Sequence, residues 1–377
     1  MEPLVSDKII DDNDYLRFTL SNANVSIANA LRRIILSEIP CVVFRTTPHD
    51  ANVATIHINT SRMNNELIKQ RISCIPIHIT DVNFPIQDHV VELDVVNNTE
   101  EIIYATTGDF KIRNVESDSY LDQKAVAEIF PKDKITGDYI DIVRLRPKLS
   151  DVLAGEHIKL TLKFDIGTAK QDGAFNVVST CAYAATPDKE EIEKAWNTIQ
   201  KEMEGDNKSK EEIKSAEMDW RLLEGKRIVK LDSFDFVVET VGQFETDAIV
   251  RKAIDVMMQK IEKFKRDTVE KSLVSTSNTT IPNSYDIVLE GEDYTLGKVI
   301  EFVLYNDHYS RATNDKRPLN YCGFRKPHPH IDVSVIRIAF VEEARTLKDV
   351  EDLIQQVCDT ASDIFSKIGN DFPDEEQ

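Results

Sequence analysis

The chain has no closely spaced cysteine pair, no long apolar run and no surplus of basic residues, and each absence removes a class of function. Its five cysteines, Cys41, Cys74, Cys181, Cys322 and Cys358, are scattered over 377 residues. This argues against a disulfide scaffold and a zinc ribbon, and points to reduced, mostly buried thiols. No stretch approaches the roughly 20 consecutive apolar residues of a transmembrane helix. The opening Met1-Glu2-Pro3-Leu4-Val5-Ser6-Asp7 lacks the basic head and apolar run of a signal peptide. A soluble, intracellular protein without a membrane partner is therefore expected. Lys+Arg number 46 against 66 Asp+Glu, a net charge of −20. Broad nucleic-acid binding needs clustered Lys/Arg to displace counterions, so no extensive direct nucleic-acid contact is expected. An anionic membrane surface is disfavoured for the same reason.

Catalytic spacings are missing too. The histidines, His49, His57, His78, His89, His157, His308, His328 and His330, form no HExxH or similar ligand pattern. There is no glycine-rich phosphate loop, no GxSxG and no DxDGD-type acidic cluster. Asp11-Asp12-Asn13-Asp14 reads instead as a solvated turn. His328-Pro329-His330 alone lacks the three or four converging ligands of a metal site. No catalytic residue, cofactor or metal ligand is expected, and an enzyme using one of the acidic pockets has no residue pattern behind it.

What is there describes a packed protein. Hydrophobic residues make up 41% and charged residues 30%, enough for a real core in two or three domains. Ile27, Leu31, Ile34 and Ile35 fall at i, i+4, i+7 and i+8, one face of a helix that Ser26 caps and Pro40 stops. Arg32 and Arg33 project away from the centre of that face. They suit a recognition side, or are ordinary solvated helix residues. Residues 50–154 carry short β-rich runs such as Val90–Val96 and Glu101–Thr106, and read as a separate small unit. Ile158, Leu160, Leu162 and Phe164 alternate in a strand, as do residues 234–239 before a helix over 246–264. The mixed-charge stretch 187–227, with Trp196 and Trp220, reads as an exposed helical insertion. Residues 266–284, rich in Ser, Thr and Asn, read as a linker.

The last ninety residues repeat a strand–helix–strand–helix order. Leu296, Val299, Ile300, Val303 and Leu304 mark its first helix. Leu347, Val350, Ile354, Val357, Ala361, Ile364 and Ile368 form a 3-4 seam along the second. The basic residues Arg311, Lys316, Arg317, Arg325 and Lys326 form a partner patch or a solvated loop. The tail from Asp371 to Gln377 is acidic.

Ile27-Ala28-Asn29-Ala30-Leu31-Arg32-Arg33-Ile34-Ile35-Leu36-Ser37-Glu38-Ile39-Pro40 resembles the signature of the alpha-like RNA polymerase subunits: the bacterial alpha N-terminal domain, its archaeal D-type counterpart and the third subunit of eukaryotic RNA polymerase II. Asn64–Ile77 resembles their "IxxRIGxIP" block. Gly291-Glu292-Asp293-Tyr294-Thr295-Leu296-Gly297-Lys298 and Tyr321–Pro329 resemble the "xEDHTLGN" and "AGYxxPHP" motifs of the smaller partner, the archaeal L-type protein or the eleventh subunit. A single-chain fusion of the two is similar to the arrangement in polymerases of large eukaryotic DNA viruses. The "GxGKxHAKW" loop of the family appears only as Gly167–Phe175, without its histidine. Cys74 is the one cysteine in 50–154, where many relatives carry a metal-binding cluster, so no metal is implied.

The resemblance implies an α+β fold. A dimerisation domain of the alpha-subunit type (1–49 and 155–265) carries the inserted β-rich domain 50–154 and is fused to a second small α+β dimerisation domain (285–377). It implies a non-catalytic assembly platform of a multisubunit DNA-directed RNA polymerase. Its partners are the second-largest and largest subunits and small assembly subunits, with intramolecular pairing in place of a homodimer. Arg32 and Arg33 are the implied docking residues. Leu31, Ile34, Ile35, Leu296, Val299, Val303, Leu347, Val350, Ile354 and Val357 form the implied interface between the halves. A viral setting implies host cytoplasm or nucleus, and packaging in the virion. The alternative is a stand-alone protein-interaction adaptor with the same fold.

Overall fold

A computed structural model describes residues 2–11, 15–81, 84–148, 150, 154–309, 317–341 and 345–372. The turn at Asp12-Asn13-Asp14, the cluster members Arg311 and Lys316, and residues 373–377 of the acidic tail lie outside the described residues.

In chain order the elements are β1 (Leu4–Ile10), β2 (Tyr15–Ser21), α1 (Val25–Ser37), β3 (Cys41–Val43), β4 (Ala54–Asn59), α2 (Asn65–Ser73), β5 (His89–Val96), β6 (Ile103–Thr106), β7 (Lys111–Asn114), α3 (Gln123–Ile129), β8 (Asp141–Leu145) and β9 (His157–Lys163). Then come β10 (Asp165–Gly167), β11 (Val178–Pro187), α4 (Lys189–Gly205), α5 (Lys210–Leu222), β12 (Val229–Thr240), α6 (Thr246–Glu270), β13 (Val274–Thr276), β14 (Ser284–Glu290), α7 (Tyr294–Val303), β15 (Leu319–Arg325), β16 (Val333–Phe340) and α8 (Leu347–Gly369). They fall into two compact units, 1–35 with 180–239 and 246–377, and 36–179 with 240–245.

The first unit holds two four-stranded sheets, ordered β1-β2-β12-β11 and β13-β14-β16-β15. They repeat one design. From Tyr15 at the start of β2 to Ser284 at the start of β14 is a step of 269 residues. That step carries the buried Leu16, Phe18 and Leu20 onto the buried Tyr285, Ile287 and Leu289. It also carries Ile27, Ala28, Ala30, Leu31, Ile34 and Ile35 of α1 onto Leu296, Gly297, Val299, Ile300, Val303 and Leu304, all buried. Each strand alternates because its sheet buries one face, and each helix buries a stripe of 3.6-residue period against it. A long helix closes each copy, α6 after β12 and α8 after β16.

α6 and α8 run antiparallel. Arg251 near the start of α6 donates to the Gly369 carbonyl at the end of α8 at 3.2 Å, and Lys265 reaches Asp359 at 2.5 Å. Gln355 donates to the Lys265 carbonyl at 2.7 Å. Phe18 stacks on Phe236 with ring centroids 4.8 Å apart, and Phe372 meets it edge-on at 5.2 Å. The insertion between β11 and β12 is a helical hairpin, α4 and α5. Trp196 is buried and its ring lies 5.6 Å from that of Trp220. Arg221 holds Glu193 with two N–H groups at 2.8 and 3.0 Å.

The second unit is built on the sheet β4-β9-β5-β7, with the strand pairs β3–β10 and β6–β8 beside it. Phe44, Phe110, Phe130 and Phe164 pack as a cluster of rings at its centre. This unit is wider than the insert expected at 50–154. β9, expected in the flanking dimerisation domain, pairs with both β4 and β5 through the buried Ile158, Leu160 and Leu162, and so belongs here.

The linker expected at 266–284 is also corrected. α6 runs on to Glu270, and Ser272 then turns the chain in the left-handed region with φ 51°. β13 pairs with β14, and Leu273 and Val274 are buried. Those two apolar residues anchor a segment whose polar composition alone reads as a tether.

Candidate assembly site

α1 places its apolar face and its two arginines by helical spacing. Consecutive side chains point about 100° apart, so Arg32 and Arg33 leave the helix in different directions. Leu31, Ile34 and Ile35 are fully buried. Arg32 is half-buried and holds Asn29 Oδ1 in its own helix, at 2.9 Å from Nη2 and 3.3 Å from Nε. Its charge also bears on Cys181 in β11, whose thiol burial pushes up to about 12 while Arg32 acts the other way.

Arg33 reaches into the C-terminal part of the chain. Its Nη2 lies 2.5 Å from Asp293 Oδ2, and its Nε donates to Thr295 Oγ1 at 2.8 Å. The two residues belong to the N-terminus of α7. Asp293 is the N-cap, and its other oxygen, Oδ1, accepts from the Thr295 N–H at 2.8 Å. One carboxylate thus closes the helix and receives the guanidinium. The docking role expected of both arginines therefore meets different surroundings at the two positions.

Further bonds converge on the same helix end. Glu292 forms an ion pair with Lys260 of α6 at 2.9 Å, with side chains only 14% and 11% exposed. Its carbonyl accepts from Ser334 Oγ at 2.7 Å. Gly297 is needed at its position, since a Cβ there would fall 2.0 Å from the Phe324 ring. On the sheet face opposite the buried Tyr285, Ile287 and Leu289, Arg337 of β16 grips Asp286 of β14 through two bonds of 2.6 and 2.8 Å. Those bonds hold the Asp286 carboxyl below its ordinary range, against a smaller opposing effect of burial.

The remaining residues expected at an interface between the halves separate into buried and exposed. Leu296, Val299 and Val303 of α7 are buried, as are Val350, Ile354 and Val357 of α8. Leu347 differs: it is 44% exposed, at the first residue of α8, where the seam has not yet met a neighbour. In the basic cluster, Arg317 donates to the Asn306 carbonyl at 2.9 Å and so caps the end of α7. There the helix widens into a single π turn over Leu304–His308. Lys326 donates to the Ile331 carbonyl at 2.9 Å. Both are at least partly engaged in local structure.

Among the described residues no three His, Cys, Asp or Glu side chains group closely enough to hold a metal ion. Nor is any described helix long and apolar enough to cross a membrane. Asp293, Thr295, Glu292 and Lys260 carry geometry that sequence reasoning did not assign. The signs available were the "xEDHTLGN"-like segment that holds Glu292, Asp293 and Thr295, and its acidic pair ahead of an apolar helix, an N-cap pattern.

The sequence over residues 17–261, which includes α1, matches the family of the RNA polymerase Rpb3/Rpb11 dimerisation domain. The chain belongs to that family. Its relatives include DNA-directed RNA polymerases IV and V subunit 3B of Arabidopsis thaliana, 25% identical over 305 residues, 66% of this chain and 86% of the relative. DNA-directed RNA polymerases I and III subunit RPAC1 of Homo sapiens is 24% identical over 294 residues, 67% of this chain and 81% of the relative. DNA-directed RNA polymerase subunit Rpo3 of Archaeoglobus fulgidus is 21% identical over 276 residues, 69% of this chain and 96% of the relative. The family match opens in β2 and closes in α6, taking in α1 with Arg32 and Arg33.

Proposed function

We propose that this chain is a non-catalytic platform subunit of a multisubunit DNA-directed RNA polymerase, and that its two halves pair within one polypeptide. The paired halves dock the second-largest and largest subunits, and small assembly subunits join them. The C-terminal half takes the role of the smaller partner of the family, in a single-chain form similar to that of large eukaryotic DNA viruses. The observation that carries the reading is the repeat of strand and capped helix at a step of 269 residues, each copy closed by a long helix, in a chain whose first copy falls largely within the dimerisation-family match. Joining the halves in one chain favours such pairing, because the second half then meets the first without a search between free chains.

The test is affinity purification of the tagged full chain from its native cell, followed by mass spectrometry. Two very large polymerase subunits should co-purify. Arg32→Glu should leave the melting temperature within about 3 °C of the parent, as surface changes do. Recovery of the second-largest subunit should nevertheless fall sharply, since a reversed charge at a complementary contact is strongly unfavourable. Normal recovery with the variant removes Arg32 from the docking surface. Purification without any large subunit removes the platform reading.

A further inference from the structure

The two capped helices share their apolar buried positions and differ in their polar contacts, most of all at the cap. In α1 the cap is Asn24, not the expected Ser26, which lies inside the helix and donates its N–H to Asn24 Oδ1 at 2.9 Å. In α7 the cap is Asp293, whose Oδ1 accepts from the Thr295 N–H at 2.8 Å. The step of 269 residues carries Asn24 onto Asp293 and Ser26 onto Thr295. The same step carries Arg33 onto Phe302. So the first half offers a guanidinium and a neutral amide cap, and the second offers an aromatic ring and a charged cap.

We propose that the Arg33–Asp293 pair is the specificity determinant that makes the first half choose the second half over another copy of itself. The inference rests on the paired-halves reading above. Pairing unlike halves satisfies Arg33 with Asp293 Oδ2 and Thr295 Oγ1, at 2.5 and 2.8 Å. Pairing two first halves sets Arg33 against Asn24, an amide without charge. Pairing two second halves sets Phe302 against Asp293, and leaves a carboxylate oxygen desolvated beside a ring. The cost falls on the like pairs, which is how a specific interface rejects a wrong partner.

A dimer made by exchanging halves between two chains contains the same two contacts as two monomers. A substitution in the contact leaves its share unchanged, so only like-with-like pairing grows when the contact is lost.

The experiment refolds the full chain from urea at roughly 100 µM, where mass action favours dimers, and weighs the products by light scattering. Asp293→Asn is the first variant, because its amide oxygen keeps the cap on Thr295 while the charge goes. Arg33→Gln is the second, and Arg33→Asp with Asp293→Arg is the exchanged pair. The parent should refold as single chains. Each single variant should raise the dimer share about tenfold, the factor that ~1.4 kcal/mol makes. The exchanged pair should restore single chains.

Parent-like mass in both single variants, or an exchanged pair as dimeric as they are, overturns the proposal. So does a lower urea midpoint without any dimer, which marks Arg33 as a plain stabilising contact. A parent that is itself a like-with-like dimer sinks the paired-halves reading as well.

Discussion

Ile354→Ala tests whether the α6–α8 seam holds the first unit together. Ile354 is fully buried in α8, whose neighbours along the seam, Val350, Val357 and Ala361, are buried too. The substitution removes three carbons. At ~0.8 kcal/mol each, the transfer loss is ~2.4 kcal/mol. The cavity left behind raises this to ~3–4 kcal/mol, because α8 is held to α6 at its end by Arg251 and at its middle by Lys265 and cannot easily move in to fill it. At 2–4 °C per kcal/mol for a domain of about 200 residues, the melting temperature should fall by about 10 °C. Leu347→Ala is the control. Leu347 belongs to the same sequence seam but is 44% exposed, so its loss should cost ~1 kcal/mol or less, about 3 °C. The assay is a near-ultraviolet circular dichroism melt of both variants beside the parent. A drop of under about 2 °C for Ile354→Ala, or equal drops for the two, refutes the packing argument.

Two further outcomes follow from charge and burial. Asp286 is held below its ordinary value of 3.8 by Arg337, so its contribution is present above the unfolded pKa and is lost as pH falls through the lowered native one. Asp286→Asn should therefore lower the urea midpoint at pH 7 and approach the parent as pH falls below the ordinary carboxylate range, and a constant difference at all pH would contradict this. The thiols of Cys41, Cys181, Cys322 and Cys358 are pushed up to about 12 chiefly by burial, whereas Cys74 is exposed. A thiol reagent at pH 7.5 should label one cysteine in the native chain, and Cys74→Ser should abolish that label.

The helices were legible because their apolar spacing is local. Four buried positions of α1 could be read from i, i+4, i+7 and i+8, and the α8 seam from its 3-4 repeat. What lay beyond reach was anything set by distant residues. Arg32 and Arg33 are adjacent in sequence and look equivalent, yet the partner of Arg33 stands 260 residues away. β9 reads as a half-buried strand from its alternation, but alternation does not say which sheet receives it. Residues 266–284 have linker composition, and two apolar side chains outweigh it. The hairpin α4–α5 was visible as an insertion from charge, while the contact between its tryptophans was not.

The pairing of β2 with β12 sets a schedule for synthesis. Phe18 stacks on Phe236, so 218 further residues must be made before β2 meets its neighbour. At 5–20 residues per second that is roughly 10–40 s during which Leu16, Phe18 and Leu20 have no β12 to pair with. Most of the second unit, 36–179, is complete before then and can fold while the first waits. A nascent chain whose β1–β2 pair still has an open edge at β2 is a substrate for holdase chaperones for that interval. Translation speed through residues 19–236 thus governs how long the first unit stays exposed to misassembly.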